Sequence, residues 1–330
     1  MRAIRYHAYG STPQIEEIAK PVIMPDEVLL QVRFAALNPL DLKLLSGDWQ
    51  KYFALELPYV MGSDLAGTVV DVGSTVTSFH NGDIVIGRRA PLCGGAFADY
   101  AAVAARNCAV LPGGMRPAEG AGIPTAAGTA RAALFDFGQL QAGQSVLIHA
   151  GAGGVGSFAV QFAKGVGAHV IATASGDGIE LVRALGADEV IDRHTRDFTS
   201  VVSDIDLVLD TVGFDTQDRS FGVIRPGGHL VSIVSEPDKE RAKACGIRVS
   251  RVYYSMKPGE LGTLVERITQ GSIRVVVDRI VPFSDFATAT DRQGSGRARG
   301  KVVLDLTHRG EDHGRMLMAS GPLLLQKGQV

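Results

Sequence analysis

The sequence predicts a doubly wound α/β domain inserted into a partly open β-barrel that both ends of the chain help to build. Three observations predict it. Apolar strands alternate with helices between residues 121 and 255, the pattern of a parallel sheet covered on both faces. The glycine-dense stretch "HAGAGGVGSF" (149–158) falls between one of those strands and the helix that follows. Short strands punctuated by glycine fill the first 120 residues and return after residue 256, as in a small barrel.

Each element has its own signal. "DEVLLQVRFAALN" (26–38) is a strand with largely alternating apolar positions, and "AGTVVDVGSTVTSFHNGDIVIG" (66–87) is two strands joined by an Asn-Gly-Asp turn. "AFADYAAVAARNCAVLP" (96–112) gives two more strands. In the middle, "SVLIHA" (145–150) is an apolar strand and "GVGSFAVQFAKGVG" (154–167) has a helical period. "HVIATA" (169–174), "EVID" (189–192), "IDLVLDTVG" (205–213), "GGHLVSIV" (227–234) and "IRVSRVYY" (247–254) continue the sheet, with "GIELVRALG" (178–186) as a helix between them. "GELGTLVERITQGSI" (259–273) is an amphipathic helix, and "VVVDRIVPF" and "KVVLDL" are strands. The expected division is barrel 1–120, α/β domain 121–255, barrel again 256–306, and a C-terminal tail 307–330 with at most partial order.

Bulk properties narrow the function classes. The chain has 330 residues, 45% hydrophobic and 21% charged, which fits a two-domain globular protein and not a disordered one. A formal net charge of −2 argues against nucleic acid as a main partner and against a membrane surface. One basic cluster, "RQGSGRARGK" (292–301), reads as a solvated loop. The 3 cysteines, Cys93, Cys108 and Cys245, are too scattered for a disulfide framework or a paired metal site and imply a reducing compartment. The N-terminus lacks a signal-peptide core and no apolar run has the length of a membrane span, so a soluble cytoplasmic protein is expected.

The glycine loop has the place of a dinucleotide site, at the carboxyl end of a strand and the amino end of a helix, where free N–H groups and the helix dipole attract a pyrophosphate. Gly151 permits the tight turn, Gly153 and Gly154 let backbone approach phosphate, and Gly156 lets the helix pack on the strand. Ala150 and Val155 complete the set of loop contacts. A plain turn is the alternative. The second strand ends Thr173-Ala174-Ser175-Gly176, without the acid that holds the ribose hydroxyls of NAD. NADP (NADPH) is therefore expected over NAD, with Ala174 and Ser175 at the strand tip and Arg193, after the third strand, supplying positive charge. Asp177 opposes that reading, and Arg193 can also be a plain surface cation.

Seven segments in order resemble the zinc-independent quinone oxidoreductase branch of the medium-chain dehydrogenases/reductases. They are "ALNPLDLKLLSGDW" (36–49), "LPYVMGSDLAGTVVDVG" (57–73), "IPTAAGTARAAL" (123–134), "VLIHAGAGGVGSFAVQFAK" (146–164), "LGADEVID" (185–192), "LVLDTVG" (207–213) and "ARGKVVLDL" (298–306). The resemblance implies a Rossmann cofactor domain inserted in a GroES-like catalytic domain. Zinc relatives carry Cys at the position of Asn38 and Gly-His-Glu at Gly62-Ser63-Asp64, and the four-cysteine structural zinc loop is absent, so no metal is expected. NADPH-using relatives often have Lys at the position of Gly178 and Tyr at that of Arg193, and both are departures here.

Without a metal, a nicotinamide in a cleft between domains delivers hydride to an acceptor that is already electrophilic, a quinone or an α,β-unsaturated carbonyl. The resemblance places the Asn38-Pro39-x-Asp41 turn beside the nicotinamide, where Asn38 either donates to a developing oxyanion or shapes the cleft with Asp41. Tyr52, after Trp49, is a candidate for lining the substrate pocket and for donating a proton; the alternative is that both rings are core or rim aromatics. Asp64 reads as buried polar structure. Thr129, Val212, Gly213, Ser232, Ile233 and Val234 are expected along the nicotinamide half of the cofactor, and Arg299 and Lys301 near its cleft, a solvated strand start being the alternative for Lys301. His149 reads as a strand-end residue, neither ligand nor base. The leading expectation is NADPH-dependent quinone reduction. The alternatives are enone or enoyl (C=C) reduction and a cofactor-binding protein with a structural or RNA-binding role. A homodimer pairing along "RVYYS" is implied by the same resemblance.

Overall fold

The computed structural model describes residues 1–307; the expectation for the tail beyond them lies outside the described residues. The chain divides into two compact units. One takes Met1–Ala121, Arg279–Gly296 and, of the described residues, 302–307; the other takes Gly122–Asp278 and Arg297–Lys301.

The barrel unit opens with β1 (Arg2–Tyr6), β2 (Gln14–Glu17) and β3 (Glu27–Ala36), followed by helix α1 (Pro39–Ser46). It continues with β4 (Tyr59–Val60), β5 (Asp64–Val72), β6 (Ile84–Arg88), β7 (Tyr100–Ala104), β8 (Cys108–Val110) and α2 (Pro117–Ala121). β3 pairs antiparallel with both β5 and β7, and its inward positions Val28, Leu30 and Val32 are buried in the alternation that the sequence displays.

The α/β unit begins with α3 (Pro124–Arg131) and runs through β9 (Ser145–Ile148), α4 (Gly154–Gly165), β10 (His169–Ala174), α5 (Gly178–Ala184) and β11 (Glu189–Asp192). β12 (Ile205–Asp210), α6 (Phe214–Ser220), β13 (Ile224–Ser232), α7 (Lys239–Ala244), β14 (Arg248–Arg251) and α8 (Glu260–Gln270) complete it. Its sheet has the order β11-β10-β9-β12-β13-β14, and every neighbouring pair is parallel. Strand order reverses between β9 and β12, so the crevice for a ligand opens at the carboxyl ends of those two strands. Val146, Leu147, Ile148, Val208 and Leu209 are fully buried there, which is why the sequence reads as continuous apolar runs.

The chain returns through β15 (Val277–Pro282), α9 (Phe286–Gly294) and β16 (Lys301–Asp305). β16 pairs antiparallel with β3 and joins the barrel sheet. Two expectations differ from this layout. Residues 256–278 pack with the α/β unit, because α8 buries Leu261, Leu264, Val265 and Ile268 there and Glu260 bridges to Arg131 of α3 at 2.6 Å. An amphipathic face does not say which core it covers. Nor is 292–301 one solvated loop: Arg292 lies in the last turn of α9, and Lys301 is buried.

Candidate functional site

The glycine loop joins β9 to α4. Its left-handed residue is Ala150 (φ 49°), not Gly151. The Ala150 N–H donates to Thr173 Oγ1 at 3.0 Å and the Gly151 N–H to the Thr173 carbonyl at 2.9 Å, which docks the loop on β10. Gly151 is required for closeness rather than for its φ: a Cβ there would lie 2.9 Å from Ala172 Cβ. A Cβ on Gly156 would stand 2.2 Å from the Ala150 carbonyl oxygen, so the first turn of α4 sits against the loop's own backbone. Gly153 is the N-cap of α4, and Gly154 and Val155 open the helix with half-buried positions. Such a loop could hold a phosphate, with helix N–H groups behind it.

Residues 297–301 run across that loop. The Gly300 N–H donates to the Ala152 carbonyl at 2.8 Å, and Gly153 and Gly300 form a parallel bridge. Lys301 is 3% exposed and its stem lies over Gly154, where a Cβ would meet its Cδ at 3.2 Å; it is not a solvated strand start. Arg299 reaches the tip of β10. Its Nη2 donates to the Ser175 carbonyl at 3.2 Å, its backbone N–H is anchored on Asp278 Oδ1 at 2.8 Å, and its Nε is buried without a hydrogen-bond partner. Gly178 leaves room for it, because a Cβ there would be 3.3 Å from that Nε. Arg193, expected to carry the positive charge, has an exposed side chain and meets the tip only through its backbone N–H, which donates to Ala174 at 3.0 Å.

At the other side of the crevice Asp210 ends β12, fully buried. Its Oδ1 accepts the N–H groups of Val212 (2.9 Å) and Gly213 (2.7 Å), and its Oδ2 accepts from Gln217 Nε2 (2.9 Å) and the Ser232 hydroxyl (2.8 Å). Ser232 therefore commits its proton to Asp210 and also accepts the Val234 N–H at 3.2 Å, while the Ile233 N–H goes to the Asp210 carbonyl at 3.0 Å. These residues gather at the carboxyl edge of the sheet, oriented by an acid that the sequence reading passed over. Its signal was there, a single Asp closing an apolar strand before Thr-Val-Gly. Thr129 is buried in α3, and the Gly128 before it packs on Tyr254, where a Cβ would meet Cζ at 2.2 Å.

In the barrel unit, Asn38 caps α1. Its N–H donates to Asp41 Oδ2 at 2.7 Å, and its side-chain Nδ2 donates to Asp64 Oδ2 at 3.0 Å. Arg88, the cross-strand partner of Asp64, places its Nε 3.8 Å from Oδ1 of the same carboxylate. All four side chains are buried. Tyr52 lies instead in the loop after α1, 57% exposed, its ring 5.5 Å from that of Trp49 and under the Lys51 ammonium. A zinc ion does not fit these donors: Asn38 and Ser63 offer neutral oxygen and amide groups, the Asp64 carboxylate already faces an amide and a guanidinium, and Asp41 caps the Asn38 backbone. Among the described residues no group of three or more His, Cys, Asp or Glu could hold a metal ion. Burial pushes the Cys108 thiol up to about 12, which removes it as a nucleophile.

His149, at the end of β9, is buried between Thr173 and Ser220, and burial pushes its pKa down to about 4, with Asp210 opposing and Arg219 reinforcing that shift. Burial and Arg248 hold His229 down in the same way. The unfolded chain binds these protons at ordinary histidine pH and the folded chain does not, so stability is full above about pH 6.5 and falls as pH drops toward 4. His149 alone accounts for a loss on the order of 2 kcal/mol between pH 7 and pH 5. Urea midpoints across that range check this; a flat profile would show that His149 protonates without unfolding.

A phosphate cradle at the switch point of a doubly wound sheet, joined to a barrel, defines a dinucleotide-dependent enzyme frame. Residues 24–113 match the family described as alcohol dehydrogenase GroES-like domain, and residues 185–304 the one described as zinc-binding dehydrogenase. The chain is 31% identical to the chloroplastic quinone-oxidoreductase homolog of Spinacia oleracea, over 92% of this chain and 98% of that protein. It is 35% identical to the chloroplastic NADPH-dependent alkenal/one oxidoreductase of Arabidopsis thaliana, over 92% of this chain and 79% of that one. The crystal structure of Escherichia coli quinone oxidoreductase complexed with NADPH superimposes with a TM-score of 0.84 at 25% identity, covering 92% of this chain and 100% of the other. The chain belongs to the quinone oxidoreductase branch of the medium-chain dehydrogenases/reductases, a family of oxidoreductases.

Proposed function

We propose that this chain is an NADPH-dependent, zinc-independent reductase of quinones. The observation that carries the proposal is the Asn38–Asp64 bond: by resemblance both residues stand where zinc relatives hold ligands, and the Asn38 amide, held by Asp64 with Arg88 beside it, offers a hydrogen-bond donor in place of a Lewis acid. NADPH fits the α/β unit: the glycine loop faces the pyrophosphate, and the Arg299 guanidinium, with a buried Nε that has no partner, supplies charge for the 2′-phosphate at a strand tip without an acid. When bound, the dihydronicotinamide supplies a hydride. The chain's own residues then polarise the acceptor. Asn38 donates to the oxygen on which negative charge develops, with Asp64 fixing the plane of its amide and Asp41 fixing its backbone. Tyr52 lines the rim of the acceptor site, and the proton that completes the two-electron reduction comes through this rim.

A second reading, reduction of the C=C bond of an enone, is supported by the 35% identity with an alkenal/one oxidoreductase. Both acceptors develop an oxyanion and use the same Asn38. NADPH oxidation against a panel of p-quinones and straight-chain enones separates them by kcat/KM. Turnover of neither class by protein that binds NADPH removes both readings and leaves a cofactor-binding protein of structural role; stoichiometric zinc in active protein removes the metal-free one. We also propose two copies paired along β14, the edge strand of the parallel sheet, and a cytoplasmic location in keeping with three unpaired cysteines. Sedimentation showing only a 34.9 kDa species removes the dimer, and activity confined to a membrane or secreted fraction removes the location.

A further inference from the structure

His149 takes no part in the chemistry above, yet it is 1% exposed and both of its ring nitrogens have partners. The directions of those bonds can be assigned. The Ser220 hydroxyl has one proton, and it donates to the Thr216 carbonyl at 2.7 Å, an atom that only accepts. Ser220 Oγ must therefore accept from His149 Nε2, 2.9 Å away, so Nε2 carries the hydrogen. The buried ring is neutral, which leaves Nδ1 as an acceptor. Thr173 Oγ1, 3.3 Å away, then donates to Nδ1 and keeps its lone pair for the Ala150 N–H at 3.0 Å. The result is a one-way chain of four hydrogen bonds, from Ala150 through Thr173, His149 and Ser220 to Thr216.

This chain ends where strain is held. Ala150 is a non-glycine residue at φ 49°, which costs about 1 kcal/mol or more unless its surroundings enforce it. The two ends lie on opposite sides of the switch point, the glycine loop on one and α6 on the other. Thr211 Oγ1 adds a tie by donating to the His149 carbonyl at 2.6 Å.

We infer that His149, fixed as the Nε2–H tautomer between Thr173 and Ser220, is a positioning residue that holds Ala150 left-handed and so presents the glycine loop to the pyrophosphate of the dinucleotide. The inference rests on the reading of the loop as the NADPH site. The test uses two variants that rank oppositely under the alternatives. Thr173→Val keeps the branched shape and loses the hydroxyl; Thr173→Ser keeps the hydroxyl and loses the methyl. The polar chain requires Thr173→Val to weaken NADPH binding about five- to tenfold, measured by nucleotide fluorescence, while Thr173→Ser stays near wild type. A packing role gives the reverse order and overturns the inference, as does unchanged binding in Thr173→Val. Failure of the wild-type protein to bind NADPH or NADH overturns the cofactor reading itself, a separate result. If Thr173→Val does not fold, nitrogen NMR of histidine-labelled wild-type protein decides: His149 must show a protonated Nε2 and a bare Nδ1 whose shift moves on NADPH addition, and an Nδ1–H tautomer or an unmoved signal overturns the inference.

Discussion

Asn38→Ala lowers kcat/KM for quinones and enones on the order of 10²-fold and leaves the NADPH dissociation constant unchanged. The magnitude is that of removing one preorganised donor to a developing oxyanion in a site screened from water. Both the amide and its holder are buried, so Asp64 loses one of its donors and stability falls as well, by about 1–3 kcal/mol for the group left short of a partner. The two effects are separable. Asn38→Asp keeps the size but sets a carboxylate against Asp64, and it should be worse in both stability and rate. Steady-state kinetics beside urea titrations distinguish the roles. Loss of stability with kcat/KM intact would reduce Asn38 to the residue that shapes the turn into α1.

Arg299→Ala weakens NADPH binding by about 10- to 100-fold, the 1.5–3 kcal/mol of a charge-assisted bond, and leaves NADH within about twofold. The strap stays in place, because its anchors are backbone groups: the Arg299 N–H on Asp278 and the Gly300 N–H on Ala152. Arg299→Lys restores charge without the planar fork and should fall between. Arg193→Ala should leave both affinities within about twofold, because the Arg193 side chain is exposed and only its backbone N–H meets the strand tip. Fluorescence titration with both nucleotides reads the outcome. Equal weakening of NADPH and NADH by Arg299→Ala would mean that the guanidinium steadies the Ser175 turn and does not read the 2′-phosphate.

The parallel sheet was legible because strands buried on both faces are written as uninterrupted apolar runs, β9 and β12 above all. The strands of the barrel were legible through alternation. Helix α9 was not, since Phe-Ala-Thr-Ala-Thr has poor intrinsic helicity and forms because Phe286, Ala289 and Thr290 find a core to cover. The glycine loop announced itself, but its left-handed residue is an alanine, enforced by a threonine hydroxyl 23 residues away. Arg193 and Arg299 were both readable as cations for the cofactor, but the bond from Arg299 to the strand tip spans 124 residues and has no local signal. Asn38 and Asp64 were readable as departures from a zinc pattern, while the bond between them and the guanidinium of Arg88 became visible only once β5 and β6 were paired.

The strap that crosses the glycine loop also sets an order of assembly. Every strand of the parallel sheet has left the ribosome by Arg251, and the loop's own glycines long before that. Yet the arginine at the strand tip, the lysine over Gly154 and the bridge to Gly153 all come from residues 299–301, made after the chain has gone back to build α9. A nascent chain that stops short of them owns a finished sheet and an unfinished nucleotide site. The charge proposed to tell NADPH from NADH is among the last parts of that site which the growing polypeptide supplies.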